Sequence, residues 1–249
     1  LYVISRPNFD IDALKAFLAD NRVGWKVDSD STPAAFIVET AGRVCYMSFT
    51  DDVSKIHYPN TEYVRHLIQQ KHESVLEHVS WTFILDGVSR AFTHQLVRHR
   101  IGFSYSQLSQ QYHDERNAAF ILPHEIKPNS KASQIWIQTI ENIKEAYKAL
   151  SEDYDYVGPT SKKEKNRSLR SLARSLMPNA TATTIVVTAN ARALRHFLEL
   201  RGTIEGDYEM RHVCVELLDV LKNDAAELFF DFYIDEADDG EKIIKRLES

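Results

Sequence analysis

Gln95-Leu96-Val97-Arg98-His99-Arg100-Ile101-Gly102-Phe103-Ser104-Tyr105-Ser106-Gln107-Leu108-Ser109-Gln110-Gln111-Tyr112 changes character part-way along. Its first residues close an apolar-periodic segment, Val88–His99, in which Val88, Ala91, Phe92 and Leu96 lie along one side of a helix. Its remainder, Ile101 to Gln111, is rich in Ser and Gln and reads as a polar loop. A helix end thus carries Gln95 and Arg98 on one face, and the loop adds Arg100 and a row of hydroxyls and amides. Such a set offers neutral donors and acceptors suited to a uracil-like ring, beside cations suited to phosphate. The plainer alternative is a basic helix end followed by an ordinary polar loop. Periodicity alone does not separate the two.

The charge pattern around this segment points to an anion. From Gly87 to His113 there is no Asp, Glu or Lys, but Arg90, Arg98 and Arg100 occur with His94, His99 and His113. From Arg167 to Leu198 there is again no carboxylate, but Arg167, Arg170, Arg174, Arg192 and Arg195. Arg offers a planar fork that matches phosphate bidentately, as Lys does not. The alternative is that each Arg pairs with an acid from elsewhere in the fold. The chain as a whole is acidic, with 36 Asp and Glu against 30 Lys and Arg. Coating nucleic acid or an anionic membrane is therefore not its main work.

With 43% hydrophobic and 27% charged residues, 8 Gly and 7 Pro, the 249 residues belong to the globular class, not to collagenous, low-complexity or disordered chains. No apolar run approaches the roughly 18–20 residues of a bilayer span. Leu1 to Arg6 lacks the basic-then-apolar order of a signal peptide. Cys45 and Cys214 are too few for a disulfide framework or a Cys-rich zinc site. A reducing cytoplasm is the expected compartment.

Working outward, Val79–Leu85 is β-rich and ends at the turn signal Asp86-Gly87. Pro59-Asn60-Thr61-Glu62 opens a helix with Tyr63, Val64, Leu67 and Ile68 on one face. Leu1–Arg6 alternates like a strand, Asp12–Leu18 is helical with Asp10 or Asp12 as cap, and Ala34–Tyr46 could be either. Downstream come a short strand at Ala118–Leu122, a long helix from Lys131 to Tyr154, and a helix at Asn166–Met177 stopped by Pro178. Thr183–Thr188 reads as a strand, Ala191–Leu200 as a helix, and Asp207–Phe230 as helical in one or two pieces. Val157–Asn166 is the nearest thing to a linker. The pattern predicts one α/β (α+β) domain over residues 1–249, with helices outnumbering strands. The acidic run Asp235–Glu241 opens an expected flexible, solvated tail to residue 249.

Several chemistries lack their residues. The glycines form no G-x-G-x-x-G and no P-loop, so a nucleotide is not held by a Rossmann or Walker turn. No G-x-S-x-G elbow occurs. Among 10 His, His72 and His78 are six apart and diverge by about 240° on a helix, while His94 and His99 diverge by about 140°. No spacing supports a metal site. Cys45, near Arg43, could be an activated thiol, but a structural, buried role suits it better, and Cys214 lies in an apolar helix face.

The quoted stretch resembles the signature of the flavin-dependent thymidylate synthases: Arg-His-Arg, seven residues, then Ser. Four further stretches follow that family's order. His72–His78 resembles its His-Glu-x-x-x-Glu-His, and Ala41–Tyr46 its early helix. Ala173-Arg174-Ser175-Leu176-Met177-Pro178 and Asn190-Ala191-Arg192, with His196, Phe197, Leu200 and Arg201, resemble its C-terminal half. The likeness runs from about Phe36 to Tyr233. Three departures stand out. Eight residues, not seven, separate Arg100 from Ser109, the extra one fitting best around Gly102. Gln111 replaces an Arg, and Glu205 replaces a His usual four residues after the late Arg.

The resemblance implies helices around a small mixed or antiparallel sheet, assembled as a homotetramer with active sites between subunits. It implies reductive methylation of dUMP to dTMP, with 5,10-methylenetetrahydrofolate as carbon donor, NADPH as reductant, FAD as hydride carrier and no metal. Flavin contacts would fall on Ser74, Arg98, His99, Arg100, Gln107, Asn190, Ala191, Arg192 and His196. Deoxyuridylate contacts would fall on Gln95, Leu96, Val97, Arg98, Gln107, Leu108, Ser109, Gln110, Gln111, Arg174 and Arg201. The residues nearest the chemistry would be Arg201, which favours ionisation at N3 of the uracil, His72, which supports the flavin with Glu77, and Ser109, which binds substrate. Two rivals remain: a relative acting on another pyrimidine nucleotide or as a flavin oxidase, and a single-strand nucleic-acid binder stacking bases on Phe103, Tyr105 and Tyr112.

Overall fold

A computed structural model describes residues 1–28, 30–52, 59–152, 156–159 and 161–247 of the chain. Within them the fold is α+β. In order the elements are β1 (Tyr2–Ser5), α1 (Ile11–Asp20), α2 (Pro33–Val44), α3 (Asn60–Gln69), β2 (Ser80–Ser89), α4 (Arg90–Leu96) and β3 (Phe103–Gln107). Then follow α5 (Lys131–Leu150), α6 (Lys162–Ala173), β4 (Ala182–Asn190), α7 (Ala191–Arg201), α8 (Tyr208–Ala225), β5 (Phe232–Glu236) and β6 (Lys242–Arg246). One small sheet has the order β1-β2-β4-β3, and β5 and β6 pair as an antiparallel hairpin.

The chain forms two compact units that interleave in sequence: Leu1–Phe83 with Arg100–Ser104 and Val187–Ser249, and Ile84–His99 with Tyr105–Val186. Three of the four divisions fall inside β2, β3 and β4, and the fourth falls between His99 and Arg100. In the first unit Trp81, Phe197, Leu198, Cys214, Leu218, Phe229 and Phe232 are buried, and Trp81 meets Phe229 edge to face. Burying each such large apolar side chain stabilises by roughly 1.5–3 kcal/mol. A second cluster in this unit joins Leu14, Leu18, Trp25 and Phe49. Cys214 is buried within α8 as expected, whereas Cys45, expected to be buried, is exposed because it falls at the C-terminal cap of α2. No helix among the described residues is long and apolar enough to cross a membrane.

Local chemistry explains most boundaries. Asp10 caps α1, its Oδ1 accepting from Asp12 N and Ala13 N. Pro33 opens α2, whose buried Ala35, Val38, Glu39, Gly42 and Arg43 recur at helical spacing and resolve the helix-or-strand ambiguity. Elsewhere the structure departs from expectation. Gly87, at φ +72° with open space around it, bends β2 without ending it, so the strand runs on to Ser89. Ser89 then caps a helix that begins only at Arg90 and stops at Leu96. The expected loop Ile101–Gln111 contains β3, and the expected strand Ala118–Leu122 is a single bridge from Phe120 to Thr181. The long helix ends at Leu150 (Tyr154 lies outside the described residues). The expected flexible tail folds back as the β5–β6 hairpin, with Ile243 and Ile244 buried. Its acidic run forms the exposed tip, and residues 248–249 lie outside the description.

Candidate functional site

The first unit gathers one group of the candidate residues around the start of α7. Asn190 caps that helix, its Oδ1 accepting from Ala193 N at 2.9 Å. Asn190 N donates to Gly102 O at 3.1 Å. Gly102 itself, at φ +74°, packs so closely that a Cβ would stand 2.7 Å from Asn190 Nδ2 and 2.8 Å from Ala193 Cβ. The Arg100–Ser104 segment therefore lies against the first turn of α7, where Ala191 is buried and Arg192 and His196 are exposed. Arg192 Nη1 contacts Glu77 Oε1 at 2.6 Å and its Nε stands 3.7 Å from Glu73 Oε2, which brings in the 3₁₀ turn Glu73–His78 that carries Ser74. His72 immediately precedes that turn and is exposed. Arg201 is half-buried at the far end of α7. A helix N-terminus flanked by half-exposed Arg192 and exposed His196 suits an anionic group.

The second unit gathers the other group around α4 and the start of the polar segment. Tyr105 Oη shares its one proton between Leu96 O at 2.9 Å and His99 O at 2.6 Å, tying the end of α4 to β3. Burial pushes the Tyr105 hydroxyl's titration upward. Val97, Arg98 and His99 follow the helix, Arg98 Nε donating to His94 O. Gln107 Nε2 donates to Thr93 Oγ1 at 3.0 Å. Arg90 Nη2 donates to Leu108 O at 2.9 Å. Ser109 Oγ accepts from Gln111 N at 3.3 Å, and Gln111 Nε2 donates to Ser171 Oγ at 2.9 Å. Gln95 and Arg174 are exposed.

Three buried polar atoms in this group have no hydrogen-bond partner among the described residues: Arg90 Nε, Gln110 Nε2 and Glu115 Oε1. Buried polar groups are normally satisfied, so these are places a polar ligand or solvent would complete. Burial, then the charge of Arg174, pulls the Arg90 guanidinium below its ordinary value, with Glu115 opposing. Burial raises Glu115, with His113 and Arg90 opposing. Arg90 and Glu115 were not singled out as site residues by sequence reasoning. The carboxylate-free window containing Arg90 is the only trace of either.

The acid-pairing alternative holds for some Arg and fails for others. Arg192, Arg195 and Arg167 meet Glu77, Asp231 and Glu164. Arg98 and Arg170 instead donate to main-chain carbonyls, His94 O and Tyr112 O. The base-stacking rival loses two rings. Phe103 packs edge to face on Phe197 with centroids 6.0 Å apart, and the Tyr105 hydroxyl is anchored. No group of three His, Cys, Asp or Glu among the described residues is arranged to hold a metal ion.

The family described as Thymidylate synthase complementing protein has a sequence model that matches residues 29–225. The flavin-dependent thymidylate synthase of Corynebacterium diphtheriae is 36% identical over 230 residues, 92% of this chain and 90% of its own. That of Mycobacterium avium is 38% identical over 229 residues, 91% of this chain and 90% of its own, and that of Mycobacterium tuberculosis 37% over the same span. On these matches the chain belongs to the thymidylate synthase complementing protein family, that of the flavin-dependent thymidylate synthases.

Proposed function

We infer that this chain is an enzyme that methylates dUMP to dTMP, using 5,10-methylenetetrahydrofolate as carbon donor and NADPH-reduced FAD. The observation that carries the inference is 36–38% identity to flavin-dependent thymidylate synthases over about nine-tenths of the chain. The unspent buried atoms of Arg90, Gln110 and Glu115 support a polar ligand at the signature segment.

The residue roles are those the family resemblance implies, with Gln111 standing where the family has an Arg. Ser74, Arg98, His99, Arg100, Gln107, Asn190, Ala191, Arg192 and His196 would hold FAD, which when bound supplies the hydride. Gln95, Leu96, Val97, Arg98, Gln107, Leu108, Ser109, Gln110, Gln111 and Arg174 would seat the nucleotide, with Ser109 binding it rather than attacking it. Arg201 would hold its guanidinium by N3 of the uracil, stabilising negative charge that spreads to C5 and makes that carbon nucleophilic. His72 and Glu77 would support the flavin as polar neighbours, Glu77 through its pair with Arg192. Protein groups here bind, orient and set the field; no cysteine thiolate is required.

We propose a homotetramer with sites shared between subunits. That assembly is what the family resemblance implies. The cytoplasm suits unpaired Cys45 and Cys214. A second reading, a different pyrimidine nucleotide, rests on Gln111, whose amide is engaged with Ser171 and carries no charge for a phosphate. The test is release of the C5 hydrogen from labelled dUMP. Release that needs FAD, NADPH and the folate together is expected. Release without FAD, or none at all, refutes the assignment, and turnover confined to another nucleotide in a substrate panel selects the second reading.

A further inference from the structure

Asp231 joins three segments of the first compact unit. Its Oδ1 and Oδ2 accept from Arg195 Nη1 and Nη2 at 2.7 Å each, and Oδ2 also accepts from Arg246 Nε at 2.7 Å. Arg246 reaches on through Nη1 to Glu199 Oε1 at 2.9 Å. Arg195 and Glu199 stand one turn apart on α7, and Arg246 closes β6. The backbone repeats the link: Leu247 N donates to Asp231 O at 2.8 Å, and Ile244 N donates to Gly202 O at 3.0 Å. Gly202 follows Arg201 directly, and a Cβ there would stand only 2.7 Å from Ile244 Cδ1.

The last turn of α7 is thus gripped on both sides of Arg201, at the Glu199 side chain and at the Gly202 carbonyl. The grip comes from chain beyond residue 225, where the family's sequence model ends. Arg195 and Asp231 are 4% and 6% exposed. An ion pair buried so deeply gives little net stability over apolar packing, but it permits few geometries.

We propose that the β5–β6 hairpin is a positioning device for Arg201: through Asp231 and Arg246 it fixes the register of the last turn of α7, and so the angle at which Arg201 meets the reacting ring. The proposal rests on the role given to Arg201 above. A misplacement of about 1 Å in such a group slows turnover by about a hundredfold, and a partial loss of the grip by less.

The experiment uses the full-length enzyme loaded with FAD, in four forms: Arg201→Ala, Arg246→Met, Arg246→Lys, and the double variant Arg201→Ala/Arg246→Met. Steady-state kinetics with dUMP are read beside FAD affinity from the flavin spectrum and thermal stability. Arg246→Met is expected to lower kcat about tenfold, within the range given by positional loss, with KM for dUMP and FAD affinity little changed. Arg246→Lys should restore part of kcat, and the double variant should be no slower than Arg201→Ala alone. Three results overturn the proposal: Arg246→Met with full kcat, Arg246→Met losing only thermal stability, or effects that multiply in the double variant. If Arg201→Ala itself keeps full kcat, the role of Arg201 falls first, and the hairpin's role falls with it.

Discussion

Two stretches of this chain hold arginines and no carboxylates in sequence, and the fold treats the arginines of α7 and those around α4 oppositely. Around α7 the acids arrive from elsewhere: Glu73 and Glu77 come to Arg192, and Asp231 comes to Arg195. Around α4 they mostly do not. Arg98 is held by a main-chain carbonyl, and Arg90 by another with Glu115 acting on it electrostatically. An arginine bonded to a neutral carbonyl keeps most of its charge for something else, whereas one in an ion pair has largely spent it. Arg195 is therefore preset by the protein, half-exposed Arg192 keeps part of its charge, and the α4 arginines keep most of theirs. A carboxylate-free window in sequence does not say which of the two it will become.

The largest expected effect breaks the preset side. Asp231→Asn removes the charge facing buried Arg195, and breaking such a pair costs about 3–5 kcal/mol. Its chemical denaturation midpoint should fall accordingly; an unchanged midpoint would mean the pair is not isolated from water. The pH dependence carries a sign. Burial pushes the Asp231 carboxyl up, but the hydrogen bonds and charges of Arg195 and then Arg246 outweigh it, so it titrates below its ordinary 3.8. Its contribution is whole above that value and fades as pH falls below it. The variant should accordingly lose less stability on acidification below 3.8 than the parent.

A middle effect sharpens the contrast on the other side. Gln111 occupies the place of a family Arg, and its amide is engaged with Ser171. Of the cations in reach along the chain, Arg116 is committed to Asp114 at 2.8 and 2.5 Å, while Arg170 makes one bond to Tyr112 O. A hydrogen bond to a charged group contributes roughly 1.5–3 kcal/mol. Gln111→Arg should therefore tighten dUMP binding roughly ten- to a hundredfold, with a steeper loss as salt rises. Unchanged affinity in calorimetry would mean that Arg170 or Arg90 already serves the phosphate.

The smallest effect belongs to Glu77→Gln. Arg192 and Glu77 are both near half exposed, and such pairs contribute about 0–1 kcal/mol. Thermal stability should barely move. A large drop would show that the α7 side is held from its exposed edge as firmly as from its buried one.

Much of this layout is legible in the residues. The Asp10 cap, β4 and α7 follow from local chemistry that needs no distant partner, whereas the helix start at Asn60 is held by Asp28, Ala35 and Glu39. What is missed is nonlocal. β3 pairs with a strand some eighty residues on, and its short Phe-Ser-Tyr-Ser alternation is too weak to announce that by itself. β2 passes through Gly87 because glycine tolerates the positive φ, although Asp-Gly locally reads as a stop. The hairpin hides behind its acidic tip, since two buried isoleucines among charges look like a solvated end. The same division holds for the site. The residues that resemble the family are readable, but the pairing of Arg192 with Glu73 and Glu77, and the setting of Arg90 by Glu115, join segments far apart in the chain.

The placement of the two cysteines gives the chain a built-in gauge of its own integrity. Cys45 stands on the surface, while Cys214 is buried in α8 with its thiol pushed far toward the protonated, unreactive form. A thiol reagent should consequently count one group per folded chain and two once α8 opens. The reaction rate of the second thiol then times the opening of the helix bundle that backs α7, without any label being engineered.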